Sequence, residues 1–270
     1  NNNLRDFGGT SQGGGNVTFN NVGSSTLSLS LNTTGNAVVT AAGDVLGSYI
    51  NVNDLSLTAG SIDLRTNVDV NSFSKLVASY GDILVPNTGS FSIAGDVTTN
   101  RPGLRTTDLR ANGGGISQTA GTISGHYVSL RSTGDLVQSG TARVDSNAAY
   151  FSGANVLLGG ANSLVSNDTD IAATGNLTLR NAGAIDLTAM GGYTAGGVLT
   201  LTSDTGSITA SNAVTASALT ALAANGAVSF SHADNLIAEI RGLSASTNAT
   251  VRSRNGGFTL TGDIDVGAIL

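Results

Sequence analysis

His126 and His232 are the two histidines of this 270-residue chain, and cysteine is absent. Hydrolytic chemistry by a side-chain nucleophile would therefore need a serine or threonine hydroxyl with one of these imidazoles as its base. No Gly-x-Ser-x-Gly elbow occurs, and His126, beside Tyr127, reads as a residue at a solvent-facing corner. Glycoside cleavage needs two carboxyl groups about 5 to 9.5 Å apart across the scissile bond. Two pairs have a suitable spacing: Asp168 with Asp170 in SNDTDI, and Asp263 with Asp265 in GDIDV. Residues two apart on a strand point to the same side, so either pair would converge, but neither is joined by aromatic residues that stack on sugars. The expectation is a chain without catalytic, cofactor-binding or metal-binding residues, and not an enzyme.

Binding chemistry is as sparse. The Gly-Gly-x-Gly-x-Asp nonapeptide of calcium β-rolls is missing. Thr200 and Thr202 begin a threonine row that Leu222 interrupts one repeat later, and Asn-x-Ser/Thr sequons at Asn16, Asn32, Asn167, Asn176 and Asn248 are about as many as this composition produces by chance. The net charge of −6 comes almost wholly from aspartates, several beside glycine (Asp44, Asp82, Asp96, Asp135, Asp263), where turn chemistry accounts for them. Lys75 is the single lysine and the arginines are dispersed along the sequence, so no basic stripe offers a site for nucleic acid. The chain shows neither a secretory leader nor an apolar run long enough to cross a membrane. Two placements remain: the cytosol, or the interior of a longer exported chain.

The elements that must position these residues are strands. Glycine stands at 37, proline at 2 and charged residues at 11 per cent, while Glu, Lys and Met occur once each. Between residues 198 and 230 a phrase appears twice: Leu199, Gly206 and Ile208 recur as Leu219, Gly226 and Val228. Within each copy apolar residues alternate with hydroxyls, which is strand periodicity. The glycine closing each turn is expected at positive φ. Further copies stand at 55–64, 76–85, 108–118, 128–138, 177–187 and 249–260. A period near twenty residues with short strands and glycine corners predicts an all-β right-handed parallel β-helix, a β-solenoid with three strands per coil. About twelve coils would give a rod roughly 60 Å long. Residues 1–15 read as a loose Asn/Gly-rich lead-in and residues 16–270 as one solenoid. Two wider gaps in the repeat place candidate lateral loops at 98–107 and 231–242. The strand pattern persists to GDIDVGAIL without a polar cap, as in a segment of a longer rod.

The phrase Leu-x-Leu-x-x-x-Gly-x-Ile, as in LTLRNAGAI at 177–185 and VSLRSTGDL at 128–136, in a Gly/Asn/Ser/Thr-rich chain without cysteine, resembles the filamentous haemagglutinin-type exoproteins of two-partner secretion. That family includes large adhesins and the stalks of contact-dependent inhibition toxins. The resemblance covers the chain from about residue 16. The Asn-Pro-Asn motifs of the family's secretion domain are missing, since the two prolines are Pro86 in VPN and Pro102 in RPG, so the resemblance implies a repeat-shaft segment. It further implies export through an outer-membrane two-partner-secretion transporter, a secreted or cell-surface location, and attachment to a receptor or glycan on a host or neighbouring cell. Two other readings stay open. One is a polysaccharide-binding or polysaccharide-degrading β-helix, which needs Asp and Arg gathered on one face. The other is a sheath or surface-layer component that self-associates end to end or laterally.

Overall fold

The computed structural model describes residues 5–10, 14–100, 103–165, 169–187, 194–254 and 256–267. Among them every element is a strand, 28 in all from β1 (Asp6–Thr10) to β28 (Ile264–Val266), and every recorded pairing is parallel. Partners lie about 21 residues apart, which stacks the chain into a β-solenoid of about 12 turns. Each coil has three faces. Face A carries the second half of β7 (Val68–Ala78), β10 (Val97–Thr99), the first halves of β13 (Thr122–Ser132) and β15 (Arg143–Gly153), and the end of β16 (Val156–Leu164). On face B stand β6 (Ile62–Leu64), β8 (Ile83–Asn87), β11 (Thr106–Ala111), the second halves of β13 and β15, and β17 (Thr169–Ala173). Face C stacks the first half of β7, β9 (Phe91–Ile93), β12 (Ile116–Gln118), β14 (Leu136–Gln138), the first half of β16, β18 (Leu177–Asn181) and β21 (Val198–Ser203).

Alternation decides which side chains fill the interior. In β14 Leu136 and Gln138 are buried and Val137 between them is not, and in β18 Leu177, Leu179 and Asn181 are buried and Thr178 and Arg180 are not. One hydrophobic cluster runs without a break from Phe19 to Ala245, and like residues stack on like: Leu177 on Leu199 on Leu219, Ile185 on Ile208 on Val228. The lead-in is not wholly loose, because β1 pairs with β3 (Leu27–Asn32), and the Phe7 ring stacks on Phe19 with centroids 4.0 Å apart.

The repeated phrase moves around the triangle. At 55–64 and 76–85 it turns the corner between faces A and B, at 108–118 and 128–138 the corner between B and C, and at 177–187, 198–210 and 219–230 the corner between C and A. Leu109 accordingly pairs with Val85, in the second strand of the preceding copy, and Leu177 lies above Leu136 through Val156. A widened spacing of about thirty residues is thus one coil plus one extra side, not an interruption. The last copy falls at 243–251, where Leu243 pairs with Ala221 and Ala249 with Val228, so the copy read at 249–260 was one side out of phase.

Stretch 231–242 is correspondingly no lateral loop. From Leu236 it is ladder strand, β25 (Leu236–Ala245), with Ile237, Ile240 and Leu243 buried and one extra residue absorbed by a bulge beside Leu219 and Thr220. Of stretch 98–107, Thr98 and Thr99 belong to β10 and Thr106 and Thr107 to β11, residues 101 and 102 lie outside the described residues, and Leu104 is 82 % exposed. The corner glycines Gly206 and Gly226 are not at positive φ. Coil-to-coil contact excludes a side chain instead: a Cβ on Gly226 would lie 2.6 Å from the Gly206 carbonyl carbon, and one on Gly206 would lie 2.7 Å from Ala184 Cα.

Candidate functional site

The residue triplet Asp-Leu-Arg occurs at 63–65 and again at 108–110, and Ser-Leu-Arg at 129–131. In each, the central leucine is buried on face B, so the residues on either side leave the sheet on its outer side, where Asp108 and Ser129 are themselves buried and Arg65 and Arg110 are exposed. The ladder register brings them into two rows along the rod. One row runs Asp63, Leu84, Asp108, Ser129, Tyr150, Asp170. Beside it Pro86, Arg110, Arg131 and Ser152 pair in turn, and Arg65 stands two residues on from Asp63 as Pro86 does from Leu84. Arginines that are dispersed in sequence therefore gather on one face.

Two adjoining hollows, of about 400 and 410 Å³, lie along these rows and share Asp63, Arg65 and Leu84. The first is bounded by two Asp–Arg ion pairs with an apolar floor of Leu84 and Pro86 between them. Asp63 and Asp108 are two ladder steps apart, about 10 Å. Arg110 Nε donates to Asp108 Oδ2 at 3.0 Å, and this hydrogen bond, with the carboxylate charge, raises the guanidinium pKa above its ordinary value. Asp108 is only 8 % exposed, and its Oδ1 is buried with no hydrogen-bond partner. Such an acceptor is costly to bury unmatched. Further along the face, the Arg131 guanidinium lies 4.9 Å from the centre of the Tyr150 ring.

The second hollow is lined by Asp44, Ser61, Tyr80, Asp82 and Arg105. Tyr80 lies across Gly60, where a Cβ would come 2.2 Å from its hydroxyl oxygen, so the glycine is what lets the ring lie there. Burial, then the charge of Asp44 and a hydrogen bond to it, raise the phenol pKa, which keeps Tyr80 a neutral donor.

The residues singled out from the sequence are not brought together. His126, on β13, contacts Asn147 Nδ2 at 3.1 Å; His232 accepts from the Asp234 N–H at 3.1 Å. Between β13 and β25, the strand that follows His232, stand β15, β17, β20 (Thr194–Ala195) and β23 (Thr215–Ala223). Asp168 lies outside the described residues, as do Asn167 and Pro102. Asp170 follows Tyr150 in the face B row, and Asp263 and Asp265 are both exposed at β28. The threonine row extends Thr178, Thr200, Thr220, while Thr202 lies between Arg180 and Leu222. Among the described residues no three His, Cys, Asp or Glu side chains gather as a metal site.

Sequon Asn176 has a structural task that the sequence reading missed. Asp135 Oδ1 accepts from Asn155 N, Asn155 Oδ1 from Asn176 N, and Asn176 Oδ1 from Val198 N, at 2.8–3.0 Å, which forms a staple at one corner of successive coils. Asp82 and Asp96 likewise accept from the backbone of Thr106 and Thr122 one coil on. Also missed were the buried amides Gln118, Gln138 and Asn162, which bond one another across three coils. The signal for the groove was present in the recurring Asp-Leu-Arg triplet; for the staples it was Asx at intervals of 20 and 21. Comparison of the chain with family models, with curated proteins and with solved structures finds no match.

Proposed function

We propose that this chain is a rigid shaft segment of a large exported bacterial adhesin, secreted or held at the cell surface, whose job is to carry contact surfaces away from the membrane. The observation that carries this is the unbroken hydrophobic cluster under three parallel faces, which lets length grow by whole coils without redesign. The outward row of face C reads Ser92, Ser117, Val137, Leu157, Thr178 and Thr200, mostly hydroxyl residues suited to a solvated spacer. The resemblance of the Leu-x-Leu-x-x-x-Gly-x-Ile phrase to filamentous haemagglutinin-type exoproteins supports export through an outer-membrane transporter, with a surface receptor or glycan on another cell as the partner.

The test places the chain between a two-partner secretion domain and an epitope, in Gram-negative cells carrying the cognate transporter. A shaft gives an antibody-accessible epitope, a protease-resistant solenoid, and a purified particle whose small-angle scattering fits a rod about 60 Å long. Retention of the chain inside the cell, or export in a form that protease degrades, would overturn the proposal.

A further inference from the structure

We infer that the groove on face B binds a linear, uncharged polysaccharide laid along the rod axis. Three features of one stretch of surface converge on that ligand. The floor, Leu84 and Pro86, is apolar and half-buried, a platform for the C–H face of a pyranose ring. At either end stands an Asp–Arg pair, Asp63 with Arg65 and Asp108 with Arg110, which offers a carboxylate acceptor and a forked donor to vicinal hydroxyls. These pairs are about 10 Å apart, and a sugar in an extended chain advances by a distance close to one coil, so two sugars span the floor.

Charge selects the class. Across the two hollows Asp44, Asp63, Asp82 and Asp108 face Arg65, Arg105 and Arg110, a slightly acidic balance that disfavours sulfated or uronic acid polymers. Tyr150, held against Arg131, extends the same face by a further ring. Both carboxylates at the floor are engaged by guanidinium groups, an arrangement for holding a chain and not for donating a proton to a glycosidic oxygen. This site is independent of the shaft proposal, since a rod can be exported with or without it.

The test is calorimetric titration of the purified chain with hexamers of β-1,4-linked glucose, xylose and mannose and of β-1,3-linked glucose, with polygalacturonate and a sulfated glycosaminoglycan as charged probes. Saturable binding of a neutral hexamer is expected, nearly unchanged in high salt. It should weaken about tenfold or more in Leu84→Ser and in Arg110→Ala, roughly the loss of one buried contact or charge-assisted hydrogen bond. Leu84 faces outward, so thermal unfolding of Leu84→Ser should stay near that of the unaltered chain; Arg110→Ala takes the guanidinium from the buried Asp108 and should unfold at a lower temperature, so its binding is read well below that transition. Thr200→Ala, on face C, should bind as the unaltered chain does. The proposal is overturned if no neutral hexamer binds, if both groove variants bind normally, or if only the charged polymers bind and salt abolishes it.

Discussion

Asn162 shows how much a single interior side chain holds in this fold. Its Oδ1 accepts from Gln138 Nε2 at 2.9 Å and from Val144 N at 2.7 Å, while its Nδ2 donates to Gln138 Oε1, to Gly160 O and to Arg180 O. Asn162→Ala would orphan a buried N–H and half of the Gln138 amide together, a loss of about 3 kcal/mol or more. Urea unfolding should show it, and Asn162→Leu should fare little better because Val144 N–H stays unmatched. A gentler residue-scale effect involves Glu239. A hydrogen bond from Thr261, and then the Arg241 guanidinium, lower its carboxyl pKa in the folded state. The contact therefore adds stability above the unfolded-state pKa and loses it as pH falls through the folded one. In Thr261→Val, an NMR titration should find the Glu239 pKa moved up toward the ordinary range. At this scale the sequence was only partly legible. Alternation assigns Leu177 and Leu179 to the interior, but nothing local tells that Gln138 turns inward and Asp135 outward, since either type suits a corner.

Among the elements, corners carry the information that strands do not. Asp135 closes a corner by accepting from both the Asn155 backbone N–H and the Asn155 side chain, at 3.0 and 2.8 Å. Asp135→Ala should lower stability by about 1 kcal/mol, a typical net hydrogen bond, and Asp135→Asn by less because an acceptor remains. Hydrogen exchange at Asn155 and Val156 would locate the loosening. Strand positions were legible because period-two alternation is local. Which face a strand joins was not, because the phrase is the same at all three corners and only the register, such as Leu109 opposite Val85, fixes the side. The face B rows stayed hidden for that reason: Asp-Leu-Arg at 63–65 and at 108–110 align only once the intervening coil, with Leu84 and Pro86, is counted correctly.

For the whole molecule, every inter-coil hydrogen bond of the ladders points along the rod, and no strand pair runs antiparallel among the described residues. That orientation has a mechanical consequence. Tension applied at the two ends pulls on the ladders in series, so they open like a zipper, one coil after another, instead of shearing together. Each coil of about 21 residues would pay out roughly 70 Å of extended chain in exchange for its 4.8 Å of rod. A single molecule stretched from its ends should give a train of small, evenly spaced force drops, with the buried amides of Gln118, Gln138 and Asn162 marking the tallest. A cell tethered through such a rod would be held by a spring that lengthens in steps under load and keeps its grip between them.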